Sequence, residues 1–471
     1  MRGAVVLLLA LVACGDESAT GGGGSGGATG SGGGAVGGAG GAGGGAGGGG
    51  AVGGSGGAGG LGNGGAGGAG PAIVDATSLE KKLLLGYQGW FACKGDGAPP
   101  DRWVHWFGDQ VPDAAHLTVD MWPDTSELDA DELFATAMTY ADQSPASLYS
   151  AFIPKTVARH FGWMKDAGID GVLLQRFVSE LSDPAFSALR DQVAKNVRAG
   201  AEAHGRVFAL EYDVSGANEA TLVADLQADW KHVVDDLGLL GSDRYLRDGG
   251  KPLLALWGLG FSDRPGTAAQ AAELVDWFEN GPDPAYRVTL VGGVPRDWRT
   301  LGGDSKPDPA WAVVYRSFDW INPWTVGAFV DDAGVDAYDS GTLAADVAEA
   351  TQSGARMLPV VFPGFSWHNL KGGPSNQIPR NGGSFWWRQV HGALDVGATA
   401  IFGAMFDEVD EGTAMFKLAP NAAALPAQGS FVALDADGLA LPSDWYLRVA
   451  GEGTKMLRGD IPLTDTIPIS P

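Results

Sequence analysis

The sequence predicts an α/β fold, a (β/α)8 barrel of the TIM type with long strand-to-helix loops. Two observations carry this. From residue 80 onward, eight short apolar runs recur, and most are separated by longer stretches whose apolar residues follow a helical period. The runs are continuously apolar rather than alternating, as parallel strands buried on both faces require. About 400 residues for eight such units suits one large barrel better than a small single core. A doubly wound open sheet is the alternative, but no G-x-G-x-x-G follows the first run to support dinucleotide binding.

Taken in order, strands are expected at 83–87 (LLLGY), 171–176 (GVLLQR), 207–212 (VFALEY), 253–257 (LLALW), 287–291 (RVTLV), 320–324 (WINPW), 357–362 (MLPVVF) and 400–406 (AIFGAMF). Helical patterns lie between them at 156–168, 185–205, 219–238, 267–281 and 343–355, several closing on Gly as a helix C-terminus should. The tail at 441–459 supplies the last helix, entered through Ser443 as N-cap and packing Trp445, Tyr446 and Leu447.

Upstream of the barrel the chain has a different character. Residues 4–13 form an apolar run too short to span a bilayer but of signal-peptide length, and Leu11-Val12-Ala13-Cys14 resembles the bacterial lipoprotein box. The expectation is a signal at 1–14 with Cys14 lipidated, an exported protein anchored to the bacterial cell envelope, and an ordinary cleaved signal as the alternative. Residues 15–75, mostly Gly, Ala and Ser, offer nothing to offset the entropy of ordering. They read as a flexible tether whose span is on the order of 40 Å, or else as low-complexity expansion. The catalytic domain is expected at 76–471. Cys93 would be the only cysteine of a mature chain, which excludes an internal disulfide, and it reads as a buried small residue.

The formal charge of −25 and the lack of any Lys/Arg-rich run argue against nucleic-acid partners. A neutral substrate fits better, a glycan met by a monomer that touches the membrane only through its anchor. In a parallel barrel the chemistry sits where strands end. Here the strands run into GYQGWF, QRFV, EYDVSG, WGLGF, GGVPRDW, NPWTVG, PGFSWHNL and DEVDEG. Flat aromatic faces beside amide, hydroxyl and carboxylate groups are what a sugar ring asks for. Of the 16 Trp, we expect Trp163, Trp230 and Trp277 in core or helix packing, and Trp90, Trp106, Trp122, Trp257, Trp324 and Trp367 along a substrate groove. Tyr87 and Tyr212, at the ends of the first and third strands, join them. Glu211 and Asp213 straddle Tyr212 and so share a side opposite it. Asp213 is a candidate substrate contact, with a barrel-floor salt bridge as its alternative. His105 and His368 flank Trp residues and would bond a sugar or orient Glu411, or else serve structurally. Arg380 and Asn381 fall on a Gly-rich segment that either closes over substrate or is a surface loop.

The eighth strand ends in FDEVDEG, four carboxylates in five positions. Such a run is either a solvated rim or a catalytic pair. Like charges among aromatic walls raise a carboxyl pKa, as a general acid near neutral pH requires. Glu408 and Glu411 are three apart, and a turn after the strand would bring them to the short separation of retaining glycosidases. No acid follows the fourth or seventh strand, where the commonest barrel glycosidases carry theirs. No H-x-H or H-E-x-x-H occurs, so neither a metal nor a cofactor is expected.

GYQGWF, WVHW, PVVFPGFSWHNL, GGSFWWRQ, FDEVDEGTAMFK and LDADGLALPSDWYLRVAGEG resemble the bacterial glycoside hydrolase family 71/99-like proteins, related to the endo-α-mannosidases of family 99. The resemblance spans most of 80–460 and implies a metal-free retaining glycosidase. It implies that Glu408 assists the sugar's own 2-hydroxyl as internal nucleophile and that Glu411 is general acid and then base, through an anhydro-sugar intermediate. Asp407, Val409 and Asp410 stand where the family has Asn, Trp and His, so mannoside specificity does not carry over. Divergent relatives of this kind are often labelled xylosidase or arabinosidase. A glycan-binding surface lipoprotein without activity is the second class, and an envelope protein with a decayed site a third. A pure binding module needs no pair of closely spaced acids.

Overall fold

The computed structural model describes residues 73–471. Cys14, the signal at 1–14 and the tether up to residue 72 lie outside the described residues. Eight parallel strands form the centre: β1 (Leu83–Tyr87), β2 (Gly171–Phe177), β3 (Val207–Asp213), β4 (Lys251–Trp257), β5 (Thr289–Pro295), β6 (Trp320–Trp324), β7 (Arg356–Met357 and Val360–Val361) and β8 (Ile401–Gly403). Each pairs with its sequence neighbour, and β1 pairs with β8 through Leu83↔Ile401. The seventh strand is interrupted at Leu358-Pro359, where proline has no N–H to give. Its first half pairs with β6 and its second with β8, which curls the sheet closed.

Helices fill the connections at Pro154–Ala167, Pro184–His204, Leu222–Asp235, Ala268–Asn280, Ala310–Tyr315, Asp332–Tyr338, Ala344–Ser353, Ser384–Asp395 and Trp445–Arg458. The first two open on proline and close on Gly168 and Gly205 in the left-handed conformation. The last begins after Asp444, which makes no side-chain cap, so Ser443 is not its cap; the Ser443 carbonyl instead accepts from Leu418 N. A hairpin, Phe134–Thr139 with Pro145–Leu148, is built into the long connection after β1. Among the described residues, no helix is long and apolar enough to cross a membrane.

Register decides what faces the barrel interior. Phe177, Asp213 and Trp257 lie side by side across β2, β3 and β4, as do Gln175, Glu211 and Ala255 one layer deeper. The intervening row of Arg176, Tyr212 and Leu256 therefore faces the helices. Arg176 and Tyr212 both bond Asp229 on the helix behind, at 2.6 Å each. Tyr87 belongs to the same outward parity through its pairing with Leu174, and its hydroxyl meets His160 Nδ1 at 2.9 Å.

Candidate active site

The loop after β8 owes its shape to backbone pairing around it. Met415 N bonds Met405 O at 3.1 Å and Phe416 N bonds Phe406 O at 3.0 Å, which pinches residues 407–412 into a narrow loop. Within it, Ala414 N donates to Glu408 O at 2.9 Å and Thr413 N at 3.2 Å, so Glu408 and Glu411 occupy one tight turn. Gly412 closes that turn at φ +67, and a Cβ there would stand 2.8 Å from Ser366 N. Only glycine meets both demands. Three outside clamps hold the loop. Val409 O accepts from Asp120 N and Met121 N, Glu411 O accepts from Ser366 N at 2.8 Å, and buried Arg380 donates to the carbonyls of Gly412 and Ala414.

All four acids of the loop are buried, yet their surroundings differ. Asp407 accepts from Gln88 N at 2.7 Å and Gly89 N at 2.9 Å, fastening the ends of β8 and β1 together, and burial pushes its pKa up to about 7. Glu408 takes two side-chain donors, Gln88 Nε2 and Thr413 Oγ1, each at 2.7 Å. Glu411 is equally buried, 3% exposed, and its carboxylate takes no hydrogen bond among the described residues. Burial raises the pKa of both, and the Glu408 charge raises that of Glu411 further. The two donors on Glu408 favour its ionised form while none does so for Glu411, so of the two it is Glu411 that holds its proton more firmly. Asp410 is raised by burial too, with its Oδ1 unpaired.

Around this loop stands an aromatic wall. Trp90 is stacked between His105, with centroids 3.9 Å apart and planes 9° apart, and Phe177 at 5.3 Å. Burial lowers the His105 pKa to about 3, so the ring is neutral, and its Nδ1 stands 3.8 Å from Asp410 Oδ2, beyond a direct hydrogen bond. On the facing strands, Trp257 and Trp324 meet edge to face at 5.2 Å, and Asp213 accepts from Ser215 N at 2.7 Å with a pKa pushed up to about 6 by burial.

Several expected groove residues lie elsewhere. Trp106 is fully buried and bonds Tyr149 O, and Trp122 is fully buried and bonds the Tyr140 hydroxyl; both pack the insertion after β1. Tyr87 and Tyr212 face the helix layer, as their register requires. Arg380 braces the β8 loop from behind against the Tyr446 ring and does not close over a substrate. Asn381 is exposed, its N–H on Asp437, just before the helix Ser384–Asp395. Trp367 is half-buried against Phe365, and His368 is exposed with Nδ1 on Gly373 O, without contact to Glu411. Of the three Trp expected in core or helix packing, Trp163 and Trp230 are buried and Trp277, on the helix Ala268–Asn280, is half-buried on Tyr286. Cys93 is buried on Tyr149 O. Gln88, Thr413 and Arg264 went unread in the sequence; for Gln88 the signal was its place one step beyond a strand end.

No family model matches the chain, and no curated protein matches it either. Solved structures do. The GH99 endo-α-mannosidase from Bacteroides thetaiotaomicron superposes with a TM-score of 0.59 at 14% identity, covering 81% of this chain and 99% of that one. The same enzyme with bis-tris propane gives 0.57 at 15% identity over the same shares. The fold is shared with a family 99 glycoside hydrolase. At this identity the likeness is one of fold, so the roles of Glu408 and Glu411 rest on their own geometry. Neither structure bears a xylosidase or arabinosidase name, and that label stays an expectation.

Proposed function

We propose that this chain is a glycosidase of the 71/99-like kind that cleaves a glycan with retention, through the substrate's own 2-hydroxyl. The unequal dressing of Glu408 and Glu411 in one buried turn is the observation that carries the reading. Glu408, oriented by Gln88 and Thr413, takes the proton of the 2-hydroxyl as that oxygen attacks the anomeric carbon. Glu411 gives its proton to the departing glycosidic oxygen. In the second half Glu411 takes a proton from water as it opens the anhydro ring, and Glu408 returns its proton to the 2-oxygen. Trp257 and Trp324 at the ends of β4 and β6 supply apolar surface for the sugar, Trp90 backs His105, and Asp213 and His105 supply polar edges. Val409 is fully buried and Asp410 sits beside His105, so these two departures from the family motif reshape the wall, and the mannoside named for the structural neighbour is not carried over.

The test is a panel of α-linked glycans with the product anomer read by proton NMR in the first minutes. Retention supports the route, and inversion contradicts it. Binding without any cleavage leaves the glycan-binding lipoprotein in its place.

A further inference from the structure

Both sides of the barrel mouth carry buried polar groups without partners, including the Trp90 Nε1 donor after β1 and the Asn322 Oδ1 acceptor on β6. On the β1 and β8 side the unsatisfied groups include acceptors: the Asp410 Oδ1 and the Gln88 Oε1, beside the Glu411 carboxyl. Across the mouth, at the ends of β4 and β6, they include donors. Trp257 Nε1, Trp324 Nε1 and Arg264 Nε are all buried and all unpaired. These residues are 2%, 9% and 7% exposed, so bulk water does not reach them freely. Buried donors without acceptors are costly, and a cluster of them is a site waiting for an acceptor-rich group.

Arg264 sets the chemistry of that group. Its guanidinium lies 5.5 Å from the Trp257 ring centroid, and its one side-chain hydrogen bond among the described residues runs from Nη1 to Asp263 at 2.5 Å. The Nε edge, one side of the fork that grips an oxyanion in two parallel bonds, is left free. Its charge is met in part by the ion pair with Asp263. Asp263 is 36% exposed and screened by solvent, and Asp213 already accepts from Ser215 N. The positive charge also reaches the general acid Glu411 and the substrate contact Asp213, for it favours the ionised forms of both.

We propose that Arg264, with the indole N–H groups of Trp257 and Trp324, forms a subsite for an anionic substituent on the sugar, a uronate carboxylate or a sulfate ester. This deepens the glycosidase reading and rests on it for the sugar, while the anion preference is a property of binding alone. Neutral sugars can accept from these donors only through hydroxyl oxygens and forfeit the charge-assisted pairing with the cation.

Three ligands that differ only at C6 separate the possibilities: methyl α-glucoside, methyl α-glucuronoside and methyl α-glucoside 6-sulfate, titrated calorimetrically into the full-length protein. At least one anionic ligand is expected to bind roughly tenfold or more tighter than the neutral one. The stronger of the two assigns carboxylate or sulfate. Arg264→Met should abolish the preference and Arg264→Lys should keep part of it, with circular dichroism confirming the fold; if the Met variant does not fold, loss of the preference in high salt with the wild type replaces it. Equal or tighter binding of the neutral sugar, or a preference that survives Arg264→Met, overturns the proposal. An anion preference in a protein that cleaves no glycan leaves this subsite standing and removes the glycosidase reading.

Discussion

Gln88 and Glu408 are joined by a 2.7 Å hydrogen bond between the end of β1 and the end of β8. Because the Gln88 backbone also donates to Asp407, one residue sets the position of two of the four acids. Hydrogen bonds to a charged carboxylate contribute about 1.5 to 3 kcal/mol. In Gln88→Leu the ionised form of Glu408 loses one of two donors, and turnover near pH 6 should fall on the order of tenfold or more. The acid limb of the pH–rate profile should move to higher pH. An unshifted profile at full rate would remove Gln88 from the positioning role.

Gly412→Ala tests the shape of the turn. A methyl group at φ +67, 2.8 Å from Ser366 N, forces the loop off its clamps. The expected cost is about 1 to 3 kcal/mol in urea unfolding, together with a loss of turnover that exceeds any loss of folded protein. Wild-type stability in the variant would show that the turn tolerates a side chain.

The interior acid Glu211 predicts a pH dependence of stability. Burial raises its folded pKa to about 8, against about 4.3 unfolded. The folded state then holds a proton that the unfolded state has lost, so stability is greatest below pH 4 as far as this group is concerned and declines as pH rises toward 8. Glu211→Gln should flatten the decline between pH 5 and pH 8 in denaturant titrations. An identical slope in variant and wild type would mean that Glu211 titrates normally.

At the other end of the chain, Cys14→Ser should leave the protein unprocessed or release it from the membrane fraction. The motive is the lipoprotein-box match at 11–14, and among the described residues no helix replaces such an anchor. Unchanged processing and partitioning would argue for an ordinary cleaved signal.

Much of the barrel was legible because its strands are continuously apolar and bounded by turn residues. β1 and β6 fall where the sequence puts them, at Leu83–Tyr87 and Trp320–Trp324. β5 does not: it runs to Pro295 through Gly292 and Gly293, residues of low strand propensity. They serve there because a Cβ at either would strike Phe318 or Trp257. The helix Ser384–Asp395 was hidden behind Gly382 and Gly383, which suggest a loop but deliver a left-handed entry to the helix. The acidic turn was legible in outline as a run of carboxylates at a barrel strand end, but whether it is a solvated rim or a buried group was not, and the structure buries all four acids. Its aromatic surroundings were not. Trp106 and Trp122 carry the same composition signal as Trp90, and only the packing of the β1 insertion separates core from groove. For Tyr87 and Tyr212 strand parity held the answer, because each alternates with inward-facing neighbours.

The central claim is a division of labour between Glu408 and Glu411, and one comparison tests it: the rates of both Gln variants on a natural glycan and on its activated aryl glycoside. Glu411→Gln should slow the natural glycan by about 10²- to 10⁴-fold and the aryl glycoside far less, since a good leaving group needs little protonation. Glu408→Gln should slow both alike, because no leaving group substitutes for an activated 2-hydroxyl. If both folded variants keep near-normal rates on both substrates, the turn after β8 is a buried acidic brace and not a catalytic pair.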